Sequence, residues 1–146
     1  MSSDPKQQEL DLEAISQRYF SAWEARDPDA IVALHTDDTQ FWTHHGGSPI
    51  RGKEAVREAF AALFEQFPEF SFEVYRVMTG TGHWVLDWAL IDGDIRFDCL
   101  DLVEVSDDGL ITRKDTFIDS VQLETALGTV SAARASREQT DGIAVR

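Results

Sequence analysis

Apolar positions recur at helical spacing along the first half of the chain and alternate with polar ones along the second. From Glu9 to Ala25, the residues Leu12, Ile15, Tyr19, Ala22 and Trp23 fall on one stripe, which predicts an amphipathic helix. Asp27-Pro28 breaks it. Asp27 is placed to cap a second, short helix with Pro28 at its first position, and that helix carries Ile31, Val32 and Leu34. Thr39 to His44 reads as a strand, followed by the loop His45-Gly46-Gly47-Ser48-Pro49. Gly52 opens a third helix, Lys53 to Phe67, with Val56, Phe60, Leu63, Phe64 and Phe67 as its stripe, and Pro68 stops it.

The remainder predicts sheet. Phe70, Phe72 and Val74 alternate with Ser71, Glu73 and Tyr75, and His83 to Ile91 sets Trp84, Leu86, Trp88 and Leu90 on one face. Two further β-rich runs, Ile95 to Val105 and Leu110 to Asp119, flank a polar turn with Gly109 and read as a hairpin. One face of its first arm carries Phe97, Cys99, Asp101, Val103 and Val105, so an acid sits in the middle of an apolar face. A lone buried carboxylate is costly, and Asp101 is expected to be hydrogen-bonded, protonated or turned to a polar pocket. A short helix, about Val121 to Leu127, follows. Helices first and a strand meander after predict an α+β domain. The expected form is a cone-shaped α+β barrel, with a curved antiparallel sheet wrapped around the N-terminal helices and enclosing an apolar cavity. The domain is expected over residues 9–127, with a flexible lead over 1–8 and a flexible tail over 128–146.

Composition narrows the function classes. The formal net charge of −14 argues against nucleic acid and anionic membrane as partners, because both reward Lys and Arg. No run approaches the length that crosses a bilayer. The single cysteine, Cys99, excludes an internal disulfide, and a cytoplasmic location is expected. His44 and His45 are adjacent and point to opposite strand faces, and His35 and His83 have no ligand spacing, so no metal is expected. There is no phosphate loop, dinucleotide fingerprint or serine elbow, so no cofactor is expected either.

The runs Gln17-Arg18-Tyr19-Phe20-Ser21-Ala22-Trp23 through Leu34, Ile50-Arg51-Gly52-Lys53-Glu54-Ala55-Val56-Arg57 and Asp108-Gly109-Leu110-Ile111-Thr112-Arg113-Lys114-Asp115 carry a resemblance. The chain resembles the SnoaL-like branch of the nuclear-transport-factor-2-like superfamily, over about Glu9 to Leu127. That resemblance implies the ketosteroid-isomerase-like fold, a small apolar ligand and a homodimer formed sheet to sheet. It leaves the reaction open among isomerases, cyclases, hydrolases, dehydratases and non-catalytic binding modules.

Laid on ketosteroid isomerases, which the handful of well-understood oxyanion-hole enzymes includes, Tyr19 and Asp101 take the oxyanion positions and the base position falls at Thr43. His44 or His45 is then the candidate base. Laid on epoxide hydrolases, Asp87 matches one acid but Val85 stands where an Arg belongs, and Asp115 matches the second acid only with a one-residue shift. SnoaL-type cyclases need a single acid, which Asp101 or Asp115 supplies. The candidate catalytic residues are therefore Asp101, Tyr19, Asp115 and His44, and the candidate substrate-binding residues Trp42, Thr43, His45, Phe60, Trp88 and Phe117. The expected activity is cofactor-free isomerisation, cyclisation or hydration of an apolar cyclic or polyketide-like molecule. The competing expectation is a ligand-binding or dimerisation module whose acids are structural.

Overall fold

The computed structural model describes residues 10–128. Helix α1 (Leu12–Glu24) is capped by Asp11, whose carboxylate accepts the Ala14 N–H, one of the first-turn donors that has no partner inside the helix. Its buried side chains are Leu12, Ser16, Tyr19, Phe20 and Trp23. Asp27 caps α2 (Pro28–Val32) through the N–H groups of Asp29 and Ala30, with Pro28 at the start as expected. Helix α3 (Lys53–Gln66) follows Gly52, whose φ of 95° is a conformation that favours glycine. It buries Val56 and Phe60 completely.

The strands are β1 (His35–His44), β2 (Ile50–Arg51), β3 (Ser71–Gly80), β4 (His83–Asp92), β5 (Ile95–Val105) and β6 (Ile111–Ile118). They form one curved, six-stranded sheet in the order β2-β1-β6-β5-β4-β3. The α+β cone is as expected, with an open sheet whose edges are β2 and β3. One feature of the expected sheet is corrected. It is mixed, because β1 and β6 pair in parallel while all other neighbours are antiparallel. Hairpins force antiparallel pairing only between strands adjacent in sequence, and β1 and β6 come from opposite ends of the domain. Residues 120–128 form a last helical segment, α4. The polar lead, and all of the tail beyond residue 128, lie outside the described residues.

The concave face of the sheet is the one the alternation marks out. Trp84, Leu86, Trp88 and Leu90 of β4 and Phe97, Cys99, Asp101, Val103 and Val105 of β5 are all buried. In β3 a bulge between Val74 and Arg76 inserts Tyr75 and moves the inward face from Val74 to Val77. Val74 and Tyr75 are left exposed. Aromatic rings from three elements meet in the core: Phe60 lies 4.8 Å from Trp23 and 5.0 Å from Phe41, edge to face.

Candidate functional site

The helices do not fill the cone. Between α1, α3, α4 and the sheet lies a cavity of about 570 Å³, the size of sites that hold a compact organic molecule. Its walls are mostly rings and aliphatic groups, among them Phe20, Trp23, Phe67, Trp84, Trp88 and Leu123. The exposed lining residues, His45, Gly47, Ala62, Gln66 and Leu127, mark the mouth. Ser120 at the start of α4 and His45 meet there, Oγ to Nδ1, at 3.3 Å.

Asp101 is set in this apolar wall and is only 1% exposed. Its carboxylate has two partners from the neighbouring strand. Lys114 Nζ donates to Oδ2, and Thr116 Oγ1 donates to Oδ1 at 2.8 Å. Lys114 and Thr116 are two apart on β6 and therefore share a face. Lys114 is itself 5% exposed. Its ammonium lies 5.6 Å from the ring centre of Tyr19 and 5.3 Å from that of Trp23, over electron-rich faces that attract a cation. Two charges removed from water in this way are tolerable only as a pair with further hydrogen bonds, which is the arrangement seen.

Tyr19 lines the same cavity, but its hydroxyl meets His35 Nε2 at 2.8 Å and not Asp101. His35 Nδ1 meets Thr39 Oγ1 at 2.8 Å. A neutral imidazole carries one N–H, so the chain Tyr19–His35–Thr39 runs in one direction, whichever tautomer is present. His35 is held neutral. Burial, reinforced by the positive charges of Lys114 and Lys53, pushes its pKa down to about 3. Burial pushes the Tyr19 phenol well above its ordinary value; the Trp23 indole opposes this from beside the ring without reaching hydrogen-bond geometry. Cys99 also lines the cavity, and burial pushes its thiol up, so it stays in the protonated, unreactive form.

The remaining sequence candidates divide by strand parity. Thr43, His45 and Trp88 line the cavity. His44, Asp115, Trp42 and Phe117 do not, and the expectation that they reach a ligand there is corrected. They occupy the opposite, convex face of β1 and β6. His44 stacks between Trp42 and Phe117, 4.0 Å from each, and its Nε2 meets Asp115 at 2.8 Å. Arg113 Nε also donates to Asp115, at 2.7 Å. Partial burial resists ionisation of Asp115, but the hydrogen bonds from Arg113 and His44 outweigh it and hold its carboxyl below the usual range. Phe60 is likewise no lining residue: it is fully buried against Trp23, His35 and Phe41 behind the wall. Asp87 stands on the convex face in an ion pair with Arg76, at 3.1 Å.

A bulge in β6 decides which of its residues face Asp101. Val105 pairs with Ile111, but Glu104 pairs with Arg113, so Thr112 is an extra residue. Continuing the first pairing without the bulge would set Asp101 opposite Asp115. With it, Asp101 pairs with Thr116, Lys114 turns inward and Asp115 turns out. Lys114, Thr116 and His35 were not anticipated; no periodicity marks a lysine as buried. Among the described residues no group of three or more His, Cys, Asp or Glu is placed to hold a metal, and no helix is long and apolar enough to cross a membrane.

Comparisons with known proteins agree with this architecture. No curated protein matches the chain. Among solved structures, a protein with a ketosteroid isomerase-like fold from Catenulispora acidiphila, in complex with trimethylamine, superposes with a TM-score of 0.69 at 16% identity, covering 78% of this chain and 92% of that one. SalBIII, an epoxide hydrolase/cyclase-like enzyme in pyran ring formation in the polyether salinomycin, gives 0.66 at 20% identity, covering 75% and 92%. A SnoaL-like protein of unknown function from Burkholderia thailandensis gives 0.64 at 18%, covering 73% and 92%. At these identities the likeness is one of fold. The model of the SnoaL-like domain matches residues 16–114, from within α1 to the cavity lysine of β6, and the chain therefore belongs to the SnoaL-like domain family.

Proposed function

We propose that this protein binds a small apolar, cyclic or polyketide-like molecule in the cone and carries out cofactor-free acid–base chemistry on it: isomerisation, cyclisation or hydration. One observation carries the reading. A carboxylate and an ammonium, Asp101 and Lys114, are held together in the wall of an otherwise apolar cavity. Such a pair polarises a substrate oxygen through Lys114 and moves a proton through Asp101. Low local polarity strengthens both interactions. Tyr19 shapes the adjacent wall, with its hydroxyl oriented by His35.

The test begins with a panel of cyclic ketones and epoxides, with binding read from the intrinsic fluorescence of the cavity tryptophans. With any compound that turns over, Asp101→Asn keeps an acceptor for Thr116 but no longer takes a proton. The expected loss is at least about a hundredfold in kcat with ligand binding retained. Unchanged turnover removes Asp101 from the chemistry. A second reading, a non-catalytic binding module, is favoured by the satisfaction of both Asp101 oxygens within the fold. Binding across the panel with no turnover of any member supports that reading instead.

We also propose a homodimer joined through the convex face. Leu100, Leu102 and Phe117 stand exposed there beside the Trp42–His44 stack, and contiguous exposed apolar side chains of this kind mark interfaces. Leu102→Glu is expected to weaken association by about a hundredfold or more in sedimentation, since a charge in an interface core is left unpaired. A wild-type protein that sediments as a monomer at micromolar concentration removes this proposal. The absence of a second cysteine to pair with Cys99 supports a cytoplasmic setting.

A further inference from the structure

Lys114 has a chemistry that an acid–base pair does not exhaust. It is a primary amine, nearly enclosed, on a side chain that lines the cavity, and it touches a carboxylate able to take and return a proton. Desolvated lysines beside such a group are the side chains that condense with carbonyl compounds. The surroundings suit the reaction. Thr116 adds a hydroxyl at the same carboxylate, at 2.8 Å. Trp84 and Trp88 line the cavity, and their indole N–H groups are buried there without a hydrogen-bond partner.

We propose that Lys114 forms an imine with a ketone or aldehyde bound in the cone. This rests on the reading of the cavity as a small-molecule site and names the substrate class: carbonyl compounds with an apolar ring body. The ammonium first passes a proton from Nζ to Asp101. The free amine then attacks the carbonyl carbon; the C–N bond forms as the C=O π pair moves to oxygen. That oxygen takes a second proton from the nitrogen, giving the carbinolamine. Asp101 returns its proton to the carbinol oxygen, which leaves as water while the nitrogen lone pair closes the C=N bond. The sum is ammonium plus carbonyl giving iminium plus water, with Asp101 a carboxylate again beside the new cation. The iminium draws electrons from the adjacent carbon, which acidifies the hydrogens there and supports isomerisation or carbon–carbon bond formation without any bound cofactor.

The chain has three lysines, Lys6, Lys53 and Lys114, so the experiment resolves the site directly. The wild-type protein is incubated with naphthaldehyde or cyclohexanone, trapped with sodium cyanoborohydride, and digested for mass spectrometry. Trapping adds the mass of the probe less one oxygen. The expected result is label on Lys114 at least about tenfold over Lys53, because the cavity holds the carbonyl against the amine. In urea that preference is expected to vanish. Lys114→Arg, which keeps the charge but cannot form the imine, is expected to lose the label while still quenching tryptophan fluorescence with the probe. Label confined to Lys53, Lys6 or the N-terminal amine overturns the proposal. If the probe quenches the cavity tryptophans yet leaves Lys114 unlabelled, imine formation is wrong and the small-molecule site stands. If it neither binds nor labels, both fall for carbonyl compounds.

Discussion

Lys114→Met is expected to destabilise the fold by about 3–5 kcal/mol, the usual cost of stranding a buried charge by removing its partner. Asp101 would remain in the apolar wall with only the Thr116 hydroxyl for company. The companion change makes the prediction specific. Asp101→Asn with Lys114→Met removes both charges, keeps an acceptor for Thr116, and is expected to recover most of the loss, because two neutral groups carry no charge-desolvation penalty. Urea unfolding of the two single variants and the double closes the cycle. Losses that simply add would show that the two residues do not stabilise one another.

Acidification is expected to remove about 2.5 kcal/mol of stability between pH 7.5 and 4.5 through His35 alone. The native imidazole stays neutral down to about pH 3, whereas in the unfolded chain it protonates near its ordinary value of 6.5. Through that window the unfolded state binds the extra proton, so stability is full above pH 6.5 and falls as the pH drops toward 3. The groups facing the ring oppose its protonation or are indifferent to it: the Tyr19 and Thr39 hydroxyls bond its two nitrogens, and the positive charges of Lys114 and Lys53 act from further off. Asp115, held below the usual carboxylate range, adds its own loss only at lower pH. His35→Gln, which keeps a donor and an acceptor near Tyr19, is expected to flatten the slope between pH 6.5 and 4.5. Chemical denaturation at both pH values measures it, and an unchanged slope would mean that the ring is protonated in the native state.

Much of this molecule was written in its sequence. Helical spacing from Leu12 to Trp23 and from Val56 to Phe67, with Asp27-Pro28 and Gly52 as punctuation, was enough for three helices, because caps and stripes are local effects. Alternation in β4 and β5 was enough for their inward faces, so Asp101 was legible as an acid among apolar residues. What alternation does not carry is the register between strands. The extra residue Thr112 decides that Lys114 and Thr116, and not Asp115, meet Asp101. Tyr75 changes the face of β3 in the same way. The parallel pairing of β1 with β6 sets His44 against Asp115 on the convex face. The Tyr19–His35 bond joins residues from a helix and a strand that no period relates. Local propensity determined which elements this chain forms and which of their faces turn inward. Only the packed sheet, with its bulges and its one parallel junction, decided which polar groups share the cavity, because a shift of one residue turns every side chain of a strand to the other side.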